Sequence, residues 1–378
     1  METNTLAIFG GDPVSPVPIR LADPTFKSSL ASEIKSLLDS GRLREGEYTE
    51  HFEEVFSRRV GASYGLAVCN GTASLHLSCL ISAKPGCEIL VPSFTFTGTA
   101  SAIVMAKCKP VFTDVDPDTF LIDLDDANEK FSQTTEAIIP VHLFGSAVDL
   151  DRLVEFSEDT GLQVINDCAQ AIGATCRGKE LGHYPGLACY SFYPSKIITT
   201  GEGGMIVSND KVSIEKAKTL KEDPITGIGL NSRTTDIASI IGLSQLSLLD
   251  GFLEKRSSTA KTLTKGLKSV EGITPQEVRS HVNHCYNYYT VKMDLSKFSC
   301  PRDEFVSALK AENIMCGIYY DNPLHRHPYF SAYNHNNCPN SEILSKALFS
   351  LPIHPSISVG EAEIIVNAVK KVAEHYYI

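Results

Sequence analysis

The chain has 378 residues, a length that predicts two to three domains and room for a well-buried core. Its residues are 43% hydrophobic and 21% charged, the balance of a soluble globular protein, and 34 basic against 45 acidic side chains give a net charge of −11. No basic block offsets that charge, which argues against nucleic-acid and anionic-membrane partners, and no apolar run approaches a membrane span.

Periodicity predicts a helix over 26–40, stopped by Gly41, and a second over 48–60, ending before Gly61. A short apolar strand over 64–68 then runs into Asn70-Gly71-Thr72-Ala73 and a helix to about Ala83. Further strands are expected over 88–91, 110–115, 137–141, 163–166 and 205–207, with helices over 97–106 and 149–160. Short apolar strands between helices of this length predict an α/β fold, a mostly parallel sheet with helices on both faces. One long helix is expected over 243–268. After it the rhythm changes to a polar strand over 286–293, a helix opening at Pro301, a loop rich in His, Pro and Asn over 321–339 and two closing helices. This part reads as a smaller C-terminal α+β domain.

Eleven cysteines contain no CxxC pair, which argues against zinc. The opening METNTLAIFGGDP lacks the basic start and apolar core of an export signal, so reduced, mostly buried thiols in a cytoplasmic protein are expected. Metal binding by His281, His284 or His327 is not expected, and His142 is expected to be a buried, hydrogen-bonded histidine.

In open parallel sheets ligands bind beyond the carboxyl ends of the strands. Three predicted strand ends carry suitable chemistry. Asn70-Gly71-Thr72-Ala73 offers N–H groups and a positive helix end to a phosphate, and serves equally as an ordinary N-cap. Asn166-Asp167-Cys168-Ala169-Gln170 places an acid after Val164 and Ile165. That acid can cap the next helix, or hold a proton on a heterocycle nitrogen while Gln170 bonds a neighbouring oxygen. The most specific segment is Ser191-Phe192-Tyr193-Pro194-Ser195-Lys196, followed by Gly201-Glu202-Gly203-Gly204. A lysine between an apolar strand and a Gly-rich turn is poorly explained by solubility, and an amine beside an apolar pocket is a nucleophile for carbonyls. Neither a Walker A sequence nor a dinucleotide GxGxxG between strand and helix is present. A cofactor with a phosphate, a ring nitrogen that wants a carboxylate and an aldehyde that wants a lysine is pyridoxal phosphate (PLP).

From about Phe26 onward the chain resembles the DegT/DnrJ class of fold-type I PLP-dependent sugar aminotransferases. The resemblance rests on segments in order: NGTASLHLS at Asn70, VPSFTFTGTA at Val91, PVFTDVDPDTF at Pro110, AIIPVHLFG at Ala137, VINDCAQAIGA at Val164, SFYPSK and GEGGMIVSND after it, IGLSQL at Ile241, PLHRHPYF at Pro323 and SLPIHP at Ser350. It implies an N-terminal arm and large PLP-binding domain over 1–248 and a small domain over 249–378. It implies further that Lys196 forms the internal aldimine, Asp167 pairs with the pyridinium nitrogen, Gln170 contacts the phenolic oxygen and Phe96 stacks on the ring. Gly71, Thr72 and Ser191 would hold the phosphate. Family members are homodimers with the site at the interface, and Asn231 matches a phosphate ligand supplied by the partner subunit.

The implied reaction moves an amino group from glutamate, or glutamine, to a keto-sugar, most often nucleotide-linked, or to a keto-cyclitol. The opening LAIFGGDPV is similar to starts found in the cyclitol and antibiotic-pathway branch. Related sugar dehydratases carry His where this chain has Lys196, and a non-catalytic regulator would have no need of that lysine, so both are lesser expectations. Gly229-Leu230-Asn231-Ser232-Arg233 keeps the Asn and Arg of the family's Gly-Tyr-Asn-Tyr-Arg but neither tyrosine, and the segment between Leu220 and Gly229 is shorter than usual. Gly41 to Tyr48 matches a loop that touches substrate in the family. Arg233 is a candidate for a substrate carboxylate or phosphate, with a surface role as its rival. His325, in Pro-Leu-His, is either a substrate contact or a structural hydrogen-bonding residue.

Overall fold

A computed structural model describes residues 5–222, 229–333 and 337–378. The shortened stretch before Gly229 and the start of the Asn334–Asn340 loop therefore fall largely outside the described residues. Seven strands form the main sheet: Tyr64–Val68 (β1), Glu88–Pro92 (β2), Lys109–Thr113 (β3), Thr135–Ile138 (β4), Gln163–Asp167 (β5), Leu187–Ser191 (β6) and Gly204–Ser208 (β7). Their order is β1-β7-β6-β5-β4-β2-β3, and only β7 runs against its neighbours. The mostly parallel sheet expected from sequence is the one observed.

The helices of this part are Leu30–Ser40 (α1), Glu47–Arg59 (α2), Gly71–Ser82 (α3), Thr97–Met105 (α4), Leu124–Lys130 (α5), Leu150–Thr160 (α6), Lys211–Lys221 (α7) and Asp236–Leu246 (α8). Alternation along each strand explains why both faces of the sheet are covered. Ala67, Leu90, Ile138, Val164, Tyr190 and Val207 share a core with Phe52 and Phe56 of α2 and Leu150 and Leu153 of α6. Their neighbours Leu66, Ile89, Val91, Ile165 and Ile206 pack in the cores on the opposite face, with Leu75, Leu77 and Cys79 of α3 and Ala100 and Ile103 of α4.

Besides short 3-10 turns and a small sheet of Thr175–Cys176, Lys179–Glu180 and Val282–Asn283, the further elements are helices Leu249–Leu267 (α9), Arg302–Ala311 (α10), Pro339–Ala347 (α11) and Val359–Tyr376 (α12), and strands Ile273–Pro275 (β8), Tyr289–Met293 (β9) and Leu348–Leu351 (β10). β8, β9 and β10 form an antiparallel sheet in that order, backed by a core drawn from α9, α10 and α12. Leu6 and Ile19 are buried in this second core, so the N-terminal arm packs on the C-terminal layer.

Several boundaries differ from expectation. The single helix expected over 243–268 is two: α8 starts at Asp236, capped by Thr235 accepting from the Ala238 N–H, and α9 leaves it at 55° across Ser247 and Leu248. Leu246, Leu248 and Leu249 keep apolar residues coming through the bend, so the pattern hides it. The first helix begins at Leu30 rather than 26, and the polar strand at Tyr289 rather than 286, because Tyr286 takes a left-handed φ of 53°. β10, α5 and α7 had no separate expectation.

Nine of the eleven cysteines are buried, with Cys69 and Cys87 partly exposed, and all are free thiols. Among the described residues no single helix is long and apolar enough to cross a membrane, and no group of His, Cys, Asp and Glu could hold a metal ion.

Candidate active site

Six strands of the sheet share a direction, so their carboxyl ends lie at one edge. A cleft of about 480 Å3 opens there, lined from Asn70 and Gly71 after β1, Thr95 and Phe96 after β2, Asp167 at the end of β5, and Ser191 and Lys196 at and after β6. That volume suits a small-molecule ligand. The C-terminal layer closes the cleft with Tyr288, Tyr319 and Tyr320.

One end is a cradle for an anion. Asn70 caps α3, its Oδ1 accepting from the Ala73 N–H at 2.8 Å, and Gly71 and Thr72 form the first turn, where N–H groups have no partner inside the helix. Ser191 stands against Gly71 so closely that a Cβ on the glycine would lie 2.7 Å from the serine Cβ. Only glycine permits this approach. Helix head, Thr72 and Ser191 together fit a phosphate.

At the other end Asp167 is 4% exposed. Its Oδ2 accepts from Thr99 Oγ1 at 2.9 Å and its Oδ1 from the Ala169 N–H at 3.1 Å. Burial pushes its carboxyl above the ordinary value, opposed by those two hydrogen bonds and by the charge of Lys196. A buried carboxylate held by neutral donors is matched by a cation brought into the cleft, such as a protonated ring nitrogen. Lys196 is on the same cleft, in a turn closed by its N–H on the Tyr193 carbonyl at 2.9 Å. The turn is also tied to the C-terminal layer, because Tyr288 Oη donates to Ser195 Oγ at 2.8 Å.

The walls are aromatic. Phe96, at the N-cap of α4, keeps 57% of its surface exposed at the cleft. Gly98 lets it fold back, since a Cβ there would sit 2.8 Å from two ring carbons and from Thr72 Oγ1. Tyr288 and Tyr319 pack at 4.3 Å between ring centroids. Gln170 is fixed at both ends of its amide, accepting from the Phe144 N–H at 2.8 Å and donating to Tyr320 Oη at 2.6 Å. One of its amide hydrogens remains for a ligand oxygen.

Of the residues singled out in the sequence, Gly71, Thr72, Phe96, Asp167, Gln170, Ser191 and Lys196 meet on this cleft. Asn231, Arg233 and His325 do not line it. Asn231 is exposed with a φ of 51°, a left-handed conformation asparagine tolerates. The neighbouring Ser232 carbonyl accepts from the Cys69 N–H at 2.9 Å, which pins this segment to the residue before Asn70. Arg233 is half-buried nearby in sequence. His325 is fully buried, Nδ1 against Ser93 Oγ at 2.6 Å and Nε2 against Glu342 Oε1 at 3.0 Å, so both ring nitrogens are committed within the protein. Of its two readings, the structural hydrogen-bonding residue is the one this geometry describes. His142 is buried too, between Asn166 Oδ1 at 3.1 Å and the Val148 N–H at 3.2 Å, and burial lowers its pKa to about 4.

Sequence reasoning missed Thr99, Ser195 and the three tyrosines. Thr99 had a local signal, standing three residues after Phe96 at the head of a helix. The tyrosines had none, because their place on the cleft depends on how the C-terminal layer folds back.

The model of the DegT/DnrJ/EryC1/StrS aminotransferase family matches residues 24–370. A putative L-glutamine:3-amino-2,3-dideoxy-scyllo-inosose aminotransferase of Streptoalloteichus tenebrarius is 34% identical, over 87% of this chain and 83% of its own. A GDP-perosamine synthase of Escherichia coli O157:H7 is 31% identical, over 89% of this chain and 94% of its own. Among solved structures, DesI in the presence of its TDP-sugar product superposes with a TM-score of 0.91 at 26% identity, covering 97% of this chain and 96% of that one.

Proposed function

The chain belongs to the DegT/DnrJ/EryC1/StrS aminotransferase family, and from that premise we propose that it transfers an amino group from glutamate or glutamine to a nucleotide-linked keto-sugar or a keto-cyclitol, as a cytoplasmic homodimer with shared active sites. It is a PLP-dependent sugar aminotransferase. The observation that carries the reading is one cleft holding Lys196, the buried Asp167 and the Gly71–Ser191 cradle together.

Bound there, PLP supplies a reactive aldehyde and an electron-withdrawing ring. Gly71, Thr72 and Ser191 anchor its phosphate. Asp167, held by Thr99 and Ala169, keeps the ring nitrogen protonated. Phe96, exposed at the cleft, would cover one ring face and exclude water. Lys196 Nζ takes the proton from the donor's Cα and later returns one to the acceptor carbon. Gln170 gives its remaining amide hydrogen to the ring oxygen. Asn231 would contact the phosphate of the cofactor held by the partner subunit. Support for the acceptor class comes from relatives whose names specify a GDP-sugar and an inosose, and from a neighbour solved with a TDP-sugar.

The test is a two-stage assay. Glutamate or glutamine should bleach the enzyme to its amino form, and a panel of GDP-, UDP- and TDP-linked keto-sugars beside a keto-inositol should restore the colour with one class. Failure of both donors to bleach the enzyme, or of every acceptor to restore it, would count against the reading.

A further inference from the structure

The turn that carries Lys196 is held mostly by itself. Its N–H donates to the Tyr193 carbonyl at 2.9 Å, and the Thr200 N–H and Thr199 Oγ1 donate to the Phe192 carbonyl at 3.0 and 2.9 Å. Lys196 Nζ makes no hydrogen bond or ion pair among the described residues, so the backbone beneath it decides where the amine stands. Among the described residues one hydrogen bond reaches residues 193–196 from elsewhere in the chain. It is the bond from Tyr288 Oη to Ser195 Oγ at 2.8 Å, one residue before the lysine.

Tyr288 comes from the C-terminal layer, yet its backbone is fixed to the large sheet's side of the cleft. Its N–H donates to the Phe144 carbonyl at 3.0 Å, and the Cys285 N–H to the Gly145 carbonyl at 2.9 Å. The two segments touch so closely that a Cβ on Gly145 would lie 2.7 Å from Cys285 Sγ and 2.8 Å from the Asn287 nitrogen. Arg256 Nη1, on α9, donates to the Tyr286 carbonyl at 2.8 Å and the Asn287 carbonyl at 3.3 Å. Tyr286 takes a left-handed φ of 53°, costly for a tyrosine, so these contacts and not local preference set the segment's path. Phe144 also gives its N–H to Gln170, so one bracket orients both Gln170 and Tyr288.

The Tyr288 ring is 7% exposed and packs on Tyr319. A phenyl ring would pack there as well; the hydroxyl is what reaches the lysine turn, with the Tyr319 hydroxyl as its other neighbour. We propose that Tyr288 is a positioning residue for Lys196: its hydroxyl, through Ser195 Oγ, holds the lysine turn in register with the Asp167 and Gly71–Ser191 ends of the cleft. This rests on the PLP reading above but not on the donor or acceptor. In the linking step the neutral Lys196 amine gives its two hydrogens to the aldehyde oxygen, which leaves as water, and C=N replaces C=O. An amine already held in reach reacts as an intramolecular group, and looseness in the turn forfeits part of that advantage.

The test follows PLP capture by the full chain, stripped of cofactor, in stopped-flow absorbance. Saturation separates the affinity of the first encounter, set by the phosphate cradle, from the limiting rate of C=N formation. In Tyr288→Phe the encounter constant should stay within about twofold while the limiting rate falls about fivefold, the worth of one neutral hydrogen bond. Ser195→Ala should do the same, and the double variant should be no slower than the slower single one, since both remove one interaction. An unchanged limiting rate in Tyr288→Phe would overturn the proposal. So would single-variant factors that multiply in the double variant, or encounter and rate weakened together as a merely structural role would have it. An unaltered chain that captures no PLP overturns the cofactor assignment and this proposal with it; capture by the unaltered chain at the variants' rate overturns this proposal alone. If Tyr288→Phe does not fold, Ser195→Ala decides by the same split.

Discussion

Asp167 is the residue on which the site's electrostatics turn. Its carboxylate is buried, and the two donors it has are neutral. Asp167→Asn should therefore leave the fold intact and slow the half-reaction with the amino donor more than a hundredfold, about 3 kcal/mol, measured by stopped-flow absorbance. Thr99→Val removes one hydrogen bond to that charged group and should cost about 1.5 kcal/mol, roughly tenfold in the same assay. Asp167 stood out in the sequence as an acid directly after an apolar strand, but a helix cap explained it equally, and the resemblance of the surrounding VINDCAQAIGA segment implied its role. Thr99 carried only the weak signal of its place three residues after Phe96, and its bond to Asp167 spans 68 residues of chain. His325 shows the reverse: its motif marked it out, while its depth, and therefore its two internal partners, depended on Ser93 and Glu342 far away in sequence.

At the scale of elements, the cleft exists because parallel strands deliver their ends to one edge and because glycines let neighbours close in. β1 with the α3 cap, and β6 with the lysine turn, were readable from sequence, since each joins a short apolar run to polar turn residues. The contact between them was not, because Gly71 meets Ser191 across 120 residues of chain (191 − 71). Gly71→Ala should raise the dissociation constant for PLP at least about tenfold with unchanged circular dichroism, as the Cβ displaces Ser191 from the cradle. The bend between α8 and α9 was invisible for the opposite reason, an apolar pattern too regular to mark where a helix turns from one core to the next.

For the whole molecule, two consequences follow from burial and from symmetry. Burial lowers His142 from 6.5 to about 4 and His284 from 6.5 to about 3. The unfolded chain binds those protons first, so stability is complete above pH 6.5 and falls as pH drops below it. For His142 alone the loss approaches about 3 kcal/mol at pH 4, to be read from denaturant midpoints across that range. If Asn231 serves the partner's site, co-expressing Lys196→Ala with a defective Asn231→Ala chain builds one intact site in each mixed dimer. Activity should recover to about a quarter of wild type, whereas self-contained sites would give no recovery beyond the activity of the Asn231→Ala chain itself.

The fold class was legible at this scale because strand and helix periods alternate so regularly. The tyrosine wall was not, since it comes from a layer whose docking no local pattern records. The central claim is that Lys196 holds the cofactor on which amino transfer depends. Borohydride reduction of the PLP-loaded protein, followed by peptide mass mapping, addresses it directly. One modified peptide should appear, carrying the cofactor on Lys196, and its label should be lost when the protein is first treated with the amino donor. A label on another lysine, or on none in a coloured protein, would contradict it.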